Sequence, residues 1–340
     1  MTAAAEPILA SSLWIPNPAE PVSAKQRVQT SCKSIDTALK GGFDYGRITC
    51  ISAEPDAGAR NITQALLGAH LISSRDATAT VVDTGQALDV RRLYQGLIAE
   101  SAGDSGVAAK AEAKVALDRV KLMKTFDFEG LTEGTSELRN HFEGRTQQEK
   151  PPRGTIADSQ ENEDEMLDAP TPPPVKPANG LAIPAAKADG QSGLLIIDNI
   201  TQLAAPLLKA NHASGQALIT SFMRSLSHLT KTHNLCTIIM NSTISTKKQT
   251  HKEESPSAFS SCTVRPALGK TWTYLADVHL LVHQVPKTSK DVKVVYGGLR
   301  TDGMVEMVNV LEVLQDRGDG RFGRWAAFSV GEDGKLKDAI

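Results

Sequence analysis

Cysteine is scarce and scattered: Cys32, Cys50, Cys236 and Cys262 are the only four, and none stands in C-x-x-C spacing. That argues against a disulfide scaffold and a zinc site, and fits reduced thiols in the cytosol or nucleus. Aromatics are few, at 4%. No run approaches the ~18 apolar residues of a membrane helix, so no membrane partner is expected. The opening stretch, MTAAAEPILASSLWIPNPAEP, has no basic segment and carries prolines, so it does not read as a secretory signal. Neither sign of charge dominates: 37 basic against 39 acidic residues leave a net −2. A chain that coats nucleic acid through general positive charge is therefore not expected, and any DNA contact must come from a local patch. What is present suffices for a sizeable core: 40% hydrophobic residues in 340, enough for one large domain or two small ones.

Five segments follow from composition. Residues 1–29 are small, polar and proline-marked and read as a tail. Leu13-Trp14-Ile15 is its exception, packing either on the chain's own core or on a neighbouring subunit. Residues 30–143 alternate between apolar runs: RITCISA (Arg47 to Ala53) and TATVVDT (Thr78 to Thr84) read as strands. Between them Ile62, Leu66, Ala69 and Ile72 fall at helical spacing, giving a βαβ unit and a parallel sheet. Residues 144–192 hold eight of the 17 prolines, the cluster Glu161 to Glu165, and eight acidic against five basic residues. With almost no large apolar side chains they read as a disordered insertion. Residues 193–332 resume the pattern. GLLIIDNI is a buried parallel strand, and a helix runs from about Gly215 to His233 with Ala217, Leu218, Phe222, Leu226 and Leu229 on one side. LCTIIM is the next strand, followed by a polar loop from Asn241 to Ser261. YLADVHLLV, MVNVLEVLQ and WAAFSV are the last strand candidates. Residues 333–340 read as a second tail. The fold class is α/β, a mostly parallel sheet with helices on both faces.

The chemistry is expected where the first strand meets its helix, at Glu54, Pro55, Asp56, Ala57, Gly58, Ala59, Arg60 and Asn61. A phosphate-binding loop reads G-x-x-x-x-G-K-[ST]: glycines let backbone N–H groups cradle phosphates, Lys reaches the β/γ-phosphates and the hydroxyl meets Mg²⁺. Position, length and the second glycine, Gly58, match. Ala53, Ala59 and Arg60 stand where the first glycine, the lysine and the hydroxyl belong. An ordinary strand-to-helix turn is the rival reading. The eight histidines show no ligand spacing and read as structural or exposed, Trp272 and Trp325 as core, and Gly41, Gly42 and Gly46 as turn glycines. Arg91 and Arg92 read as partners of helix carboxylates or of a phosphate.

Taken in order, TSCKSIDTALKGGFDYGRITCISAE, VVDTGQALDVRRL, the strand ending in Asp198, RPALGKTWTYLADVHLLV and VLEVLQDRGDGRFGRWAAFSV resemble the ATPase core of the RecA/RadA recombinase superfamily. Within it they resemble the eukaryotic recombinase paralogues, accessory proteins of homologous recombination. The resemblance implies a RecA-like P-loop core and makes Asp198 the aspartate that holds magnesium through water. Asn199 matches a common successor. It implies a glutamate that activates water where Gly85 stands. A Thr-Asn-Gln sensor of the γ-phosphate survives as Asn241 with Ser242 in the glutamine's place. Hydrolysis needs charge stabilisation on the γ-phosphoryl group and a positioned water. With Ala59, Arg60, Gly85 and Ser242 at those positions no meaningful ATPase activity is expected.

Whether ATP and Mg²⁺ still bind is open. A helix N-terminus attracts phosphate unaided, and Arg60 either supplies the missing cation or points to solvent or pairs with Glu54 or Asp56. By resemblance the loop after LCTIIM faces DNA. Lys247, Lys248, Lys252 and Arg265 there suit weak, salt-sensitive single-strand binding, Glu253 and Glu254 oppose it, and Phe259 is the one aromatic able to stack on a base. The family's N-terminal helical domain and Phe-x-x-Ala tether are not visible, so long filaments of the chain alone are not expected. The expectation is a nuclear, non-catalytic accessory subunit that binds other paralogues and the recombinase. Its rivals are a DNA-dependent ATPase with an unconventional phosphate loop, completed by a neighbour, and a RecA-fold regulator outside repair.

Overall fold

The computed structural model describes residues 26–85, 88–100, 106–148, 193–245, 257–297, 305–318 and 320–339. In chain order the elements are β1 (Arg27–Val28), α1 (Lys33–Ala38), β2 (Phe43–Asp44), β3 (Arg47–Ala53), α2 (Ala59–Ser73), β4 (Thr78–Asp83), α3 (Val90–Glu100) and α4 (Gly106–Leu117). There follow β5 (Val120–Lys124), α5 (Phe128–Gln148), β6 (Gly193–Asp198), α6 (Ile200–Ala210), α7 (His212–Thr232), β7 (Cys236–Ser245) and β8 (Val264–Pro266). The chain closes with α8 (Gly269–Thr273), β9 (Val278–Pro286), α9 (Ser289–Gly297), β10 (Met307–Asp316), β11 (Trp325–Val330) and β12 (Leu336–Asp338).

Six strands run parallel in the order β5-β4-β6-β7-β3-β9, and β10, β11 and β12 extend the sheet antiparallel beyond β9. Alternation sends side chains to two cores. Ile51, Leu194, Ile196, Ile238, Leu280 and Val282 face α1 to α4, while Ile48, Leu195, Ile197 and Ile239 face α5 to α8. The α/β expectation, a mostly parallel sheet covered on both faces, holds.

Several expectations shift. Residues 333–340 are not all tail: β12 pairs with β11 there, and Asp338 accepts hydrogen bonds from the Ser34 backbone and the Cys32 thiol. Order begins before residue 30, with β1 on β2, and α5 carries helix past 143. The Asn241-to-Ser261 loop starts later, because β7 continues to Ser245 against β8. Ile62 and Leu66 on α2 and Phe222, Leu226 and Leu229 on α7 are buried as expected, but Ile72, Ala217 and Leu218 are exposed, and Leu67, Leu71, Ile219 and Met223 turn inward beside the expected stripes. Trp272 is core, though on α8; Trp325 is about half exposed on β11 and not core. Gly41, Gly42 and Gly46 do lie at positive φ. Leu13-Trp14-Ile15 and most of 144–192 lie outside the described residues.

Candidate functional site

Parallel strands deliver their C-terminal ends to one edge, and there Ala53, Asp83, Asp198 and Ser242 come together. The turn from β3 to α2 begins at Glu54, whose N–H donates to Val282 O and whose Oε2 accepts from the Gln284 backbone, so Glu54 is bound to β9. Asp56 takes positive φ, and Gly58 caps α2 in the left-handed region at φ 83°, its carbonyl accepting from the N–H groups of Asn61 and Ile62. Ala57, Gly58 and Ala59 are buried, Gly58 against Asn309 of β10 and Phe328 and Val330 of β11.

Arg60 is paired neither with Glu54 nor with Asp56. Its Nε stands 3.7 Å from Asp198 Oδ2, the side chains being 67% and 14% exposed. An ion pair so open to water adds about 0–1 kcal/mol, and its weight lies in what it occupies. Asp198 neighbours Asp83 in the β4–β6 register. Burial raises its carboxyl above the usual range, the Asp83 charge adds to this, and Arg60 opposes it. Asp83 accepts from the N–H groups of Gly85 and Leu88. Arg60, Gln64, Asp83, Arg92 and Asp198 line a cleft of about 90 Å³, which gives Arg92 a place at the site rather than on a distant helix carboxylate.

A second set of groups, of which only Asn199, Asn241 and Ser242 were legible, forms a polar chain through the sheet. Asn199 Nδ2 donates to Ser242 Oγ (2.8 Å), Ser242 N to Thr201 Oγ1 (2.8 Å) and Thr201 Oγ1 to Asn241 Oδ1 (2.6 Å). Asn241 Nδ2 donates to Ser52 Oγ (2.7 Å), which leaves the Ser52 proton for His279 Nε2 at 2.7 Å. His279 is fully buried, its Nδ1 has no partner, and burial lowers it to about 4. Beside Gly85, the Gln202 amide lies 3.3 Å from where a Cβ would stand. No sequence signal points to Thr201 or Gln202.

His279 carries a prediction. It stays neutral in the folded chain, whereas the unfolded chain protonates near pH 6.5. Its stabilising contribution is complete above pH 6.5 and lost as pH falls toward about 4. Urea titrations from pH 7.5 to 4 are expected to show the stability gap between the native chain and His279→Gln narrowing with acid. A constant gap would refute the assignment.

Lys247, Lys248 and Lys252 lie outside the described residues. Arg265 is exposed on β8, opposite Ile244 of β7. Phe259 is not presented for base stacking: it packs edge-on against His283 (5.6 Å between centroids) and Trp325 (5.4 Å). His283 of β9 and Glu312 of β10 are diagonal neighbours across the strand pair, Nε2 to Oε2 3.4 Å. Burial pulls the imidazole down, but the Cys262 thiol and Glu312 outweigh it and push His283 up to about 9.

A mostly parallel sheet wrapped on both faces, with a strand-to-helix turn after β3 and Asp198 closing the β6 strand, is a RecA-like α/β arrangement. Comparison agrees: the crystal structure of the RadB recombinase matches with a TM-score of 0.55 and 18% identity, over 92% of this chain and 100% of that one. The mouse protein named DNA repair protein RAD51 homolog 4 is 21% identical over 255 residues, 75% of this chain and 60% of that protein. Its cattle counterpart is 20% identical over the same length. The chain thus spans about 60% of the length of the curated relatives it matches. No family model matches. The fold is that of the RecA/RadA recombinases, and the sequence likeness lies with the recombinase paralogues. Among the described residues no helix is long and apolar enough to cross a membrane, and no group of three or more His, Cys, Asp or Glu is arranged to hold a metal.

Proposed function

We propose that this chain is a non-catalytic recombinase paralogue, an accessory subunit in homologous-recombination repair of double-strand breaks. It acts in the nucleus, with other paralogues and the recombinase, to support recombinase assembly on single-stranded DNA. One observation carries the non-catalytic part: the guanidinium of Arg60 rests on Asp198, the carboxylate that the resemblance assigns to magnesium. An internal cation stands beside that carboxylate, no lysine reaches from position 59, and no carboxylate stands at Gly85 to activate water. These residues do not fit Mg²⁺-ATP as a working ATPase would, so no hydrolytic step is derived through it. The DNA part rests on the basic residues Lys247, Lys248, Lys252 and Arg265, which flank or follow the end of β7.

Two measurements test the reading. With ATP, Mg²⁺ and single-stranded DNA, the purified chain is expected to release phosphate no faster than its Asp198→Asn variant. Turnover that this variant abolishes would overturn the non-catalytic claim, and turnover seen only in the assembled complex would favour a site completed by a neighbour. Tagged protein recovered from cells with induced breaks is expected to bring down recombinase or paralogue chains in near-stoichiometric amounts. Recovery of the chain alone would overturn the accessory role.

A further inference from the structure

At the end of the sheet opposite the candidate site, β10 returns antiparallel and sets the turn between Asp316 and Trp325 against the starts of β3 and β9. Asp316 stands in register with Val278, and Arg317 N donates to Asp277 O. Arg27, Lys40, Arg47, Arg317, Arg321 and Arg324 gather there. Arg27 Nη1 donates to Lys40 O, Arg47 Nη2 to Arg317 O (2.8 Å), Arg324 Nη2 to Thr37 O (3.0 Å) and Arg317 Nη2 to the Tyr274 carbonyl. Set against these cations are Asp44, Asp277, Asp316 and, outside the described residues, Asp319, so positive charge is in excess. Asp44 and Asp316 hold Arg27, Arg47 and Arg321. Arg317 and Arg324, both exposed, donate to carbonyls, which leave the charge of a guanidinium uncancelled. Of the three aromatic side chains more than half exposed among the described residues, two belong here: Phe322 at 73% and Tyr274 at 67%. Phe322 sits between Gly320 (φ 62°) and Gly323 (φ 74°), whose left-handed backbone folds Arg321 inward and leaves the ring outside. Arg321 is buried beneath it against Asp44, Asp316 and Leu39 O, which makes the turn a fixed platform.

We propose that this end of the sheet binds single-stranded nucleic acid without regard to sequence, Phe322 and Tyr274 stacking on bases while Arg317 and Arg324 take backbone phosphates. Cations that track a backbone beside exposed aromatic faces are the parts such binding needs, since every base has a face to stack. The guanidinium adds a planar fork that suits phosphate oxygens. An acidic protein surface would answer the arginines alone, and the two rings favour bases. The surface is separate from Lys247, Lys248, Lys252 and Arg265. Those follow the C-terminal end of β7 or pair with it, whereas Arg317 and Arg324 lie beside the N-terminal ends of β3 and β9.

The test titrates a fluorescein-labelled oligothymidylate of about 30 nucleotides with the full chain, by anisotropy, from about 50 to 200 mM salt. Salt-sensitive binding is expected. Ultraviolet crosslinking of the native complex, which needs no variant, is expected to mark the peptides holding Tyr274 and Phe322. Arg317→Gln with Arg324→Gln is expected to weaken binding at least about tenfold and to lower the log–log salt slope by about 1.4, two phosphates at about 0.7 each. Phe322→Ala is expected to weaken it about fivefold or more with the slope unchanged, circular dichroism confirming the fold. Lys247→Gln with Lys248→Gln is expected to leave the Tyr274 and Phe322 crosslinks in place. No binding at about 50 mM salt overturns the proposal, as do crosslinks confined to other peptides or folded turn variants that bind like the native chain. Polyglutamate held as tightly as the oligonucleotide, and as tightly by Phe322→Ala, overturns it in favour of an acidic protein partner.

Discussion

Replacing Arg321 with alanine is expected to lower the unfolding free energy by about 3–5 kcal/mol, since it leaves buried carboxylates without their main counter-charge. Arg321 is buried at the β10–β11 turn, with Nη2 2.6 Å from Asp44 Oδ2 and Nε 3.0 Å from Asp316 Oδ2. Asp44 also accepts from Arg27 Nε at 2.6 Å, and Asp316 from Arg47 Nη1 at 3.2 Å. Three guanidinium groups and two carboxylates thus tie the β1–β2 ribbon, the start of β3 and the β10–β11 turn into one knot. Burial would raise Asp316, but Arg321 outweighs it and holds that carboxyl below its usual range. The resulting stability is present above the ordinary carboxylate pKa and lost as pH falls through the lowered one. Arg321→Ala is therefore expected to flatten the acid limb while lowering the curve. Arg321→Lys, which keeps the charge and loses the two-armed fork, is expected to cost less than alanine. Urea unfolding at pH 7 and pH 3 decides it, and a loss under about 1 kcal/mol at pH 7 would sink the account.

The sequence reads well wherever one local pattern decides one local outcome. RITCISA is β3 residue for residue, and the apolar run Gly193 to Asp198 is β6, because a strand buried on both faces has no polar face to disguise it. Reading fails where the partner is distant or the signal weak. β12 is Leu-Lys-Asp, three residues with no apolar period, held by β11 and by Asp338 reaching Ser34. Near in sequence, Arg60 has solvent, Glu54, Asp56 or a bound phosphate to turn to; it lies largely in solvent and also meets Asp198, which a different strand delivers to the same edge. Arg321 was legible only as part of QDRGDGRFGRW, a mark of resemblance, while its physical task depends on Asp44, which sits in another part of the chain. Phe259 looked like a stacking platform in a polar loop, but aromatics a short step from a sheet find partners on it. The polar chain from Asn199 to His279 has the same cause: strand order, invisible in one dimension, sets six side chains in a row.

Gly58→Ala is expected to cost about 2–5 kcal/mol, from two sources. At φ 83° an alanine sits in the left-handed region, a cost of about 1–2 kcal/mol. Its Cβ would also stand 2.9 Å from Phe328 Cε2 and 3.0 Å from Val330 Cγ2, and forcing a methyl into packed core adds about 1–3 kcal/mol. The two parts separate in a double-mutant cycle. Phe328→Leu removes the ring against which the methyl collides, so the double variant should lose less than the sum of the singles, while the φ cost stays. Additivity would mean that the backbone carries the whole effect, and a Gly58→Ala cost under about 1 kcal/mol would mean that neither source operates. The result bears on the site directly. In a working phosphate loop this glycine serves the approach of a phosphate to the backbone. Here the same glycine is required by β11 lying behind the turn, with or without nucleotide. Its presence is therefore no sign of ATP binding, and the weight falls on the side chains around it: Ala59, a buried methyl with no charge to offer a phosphate, and Arg60, which stands beside Asp198.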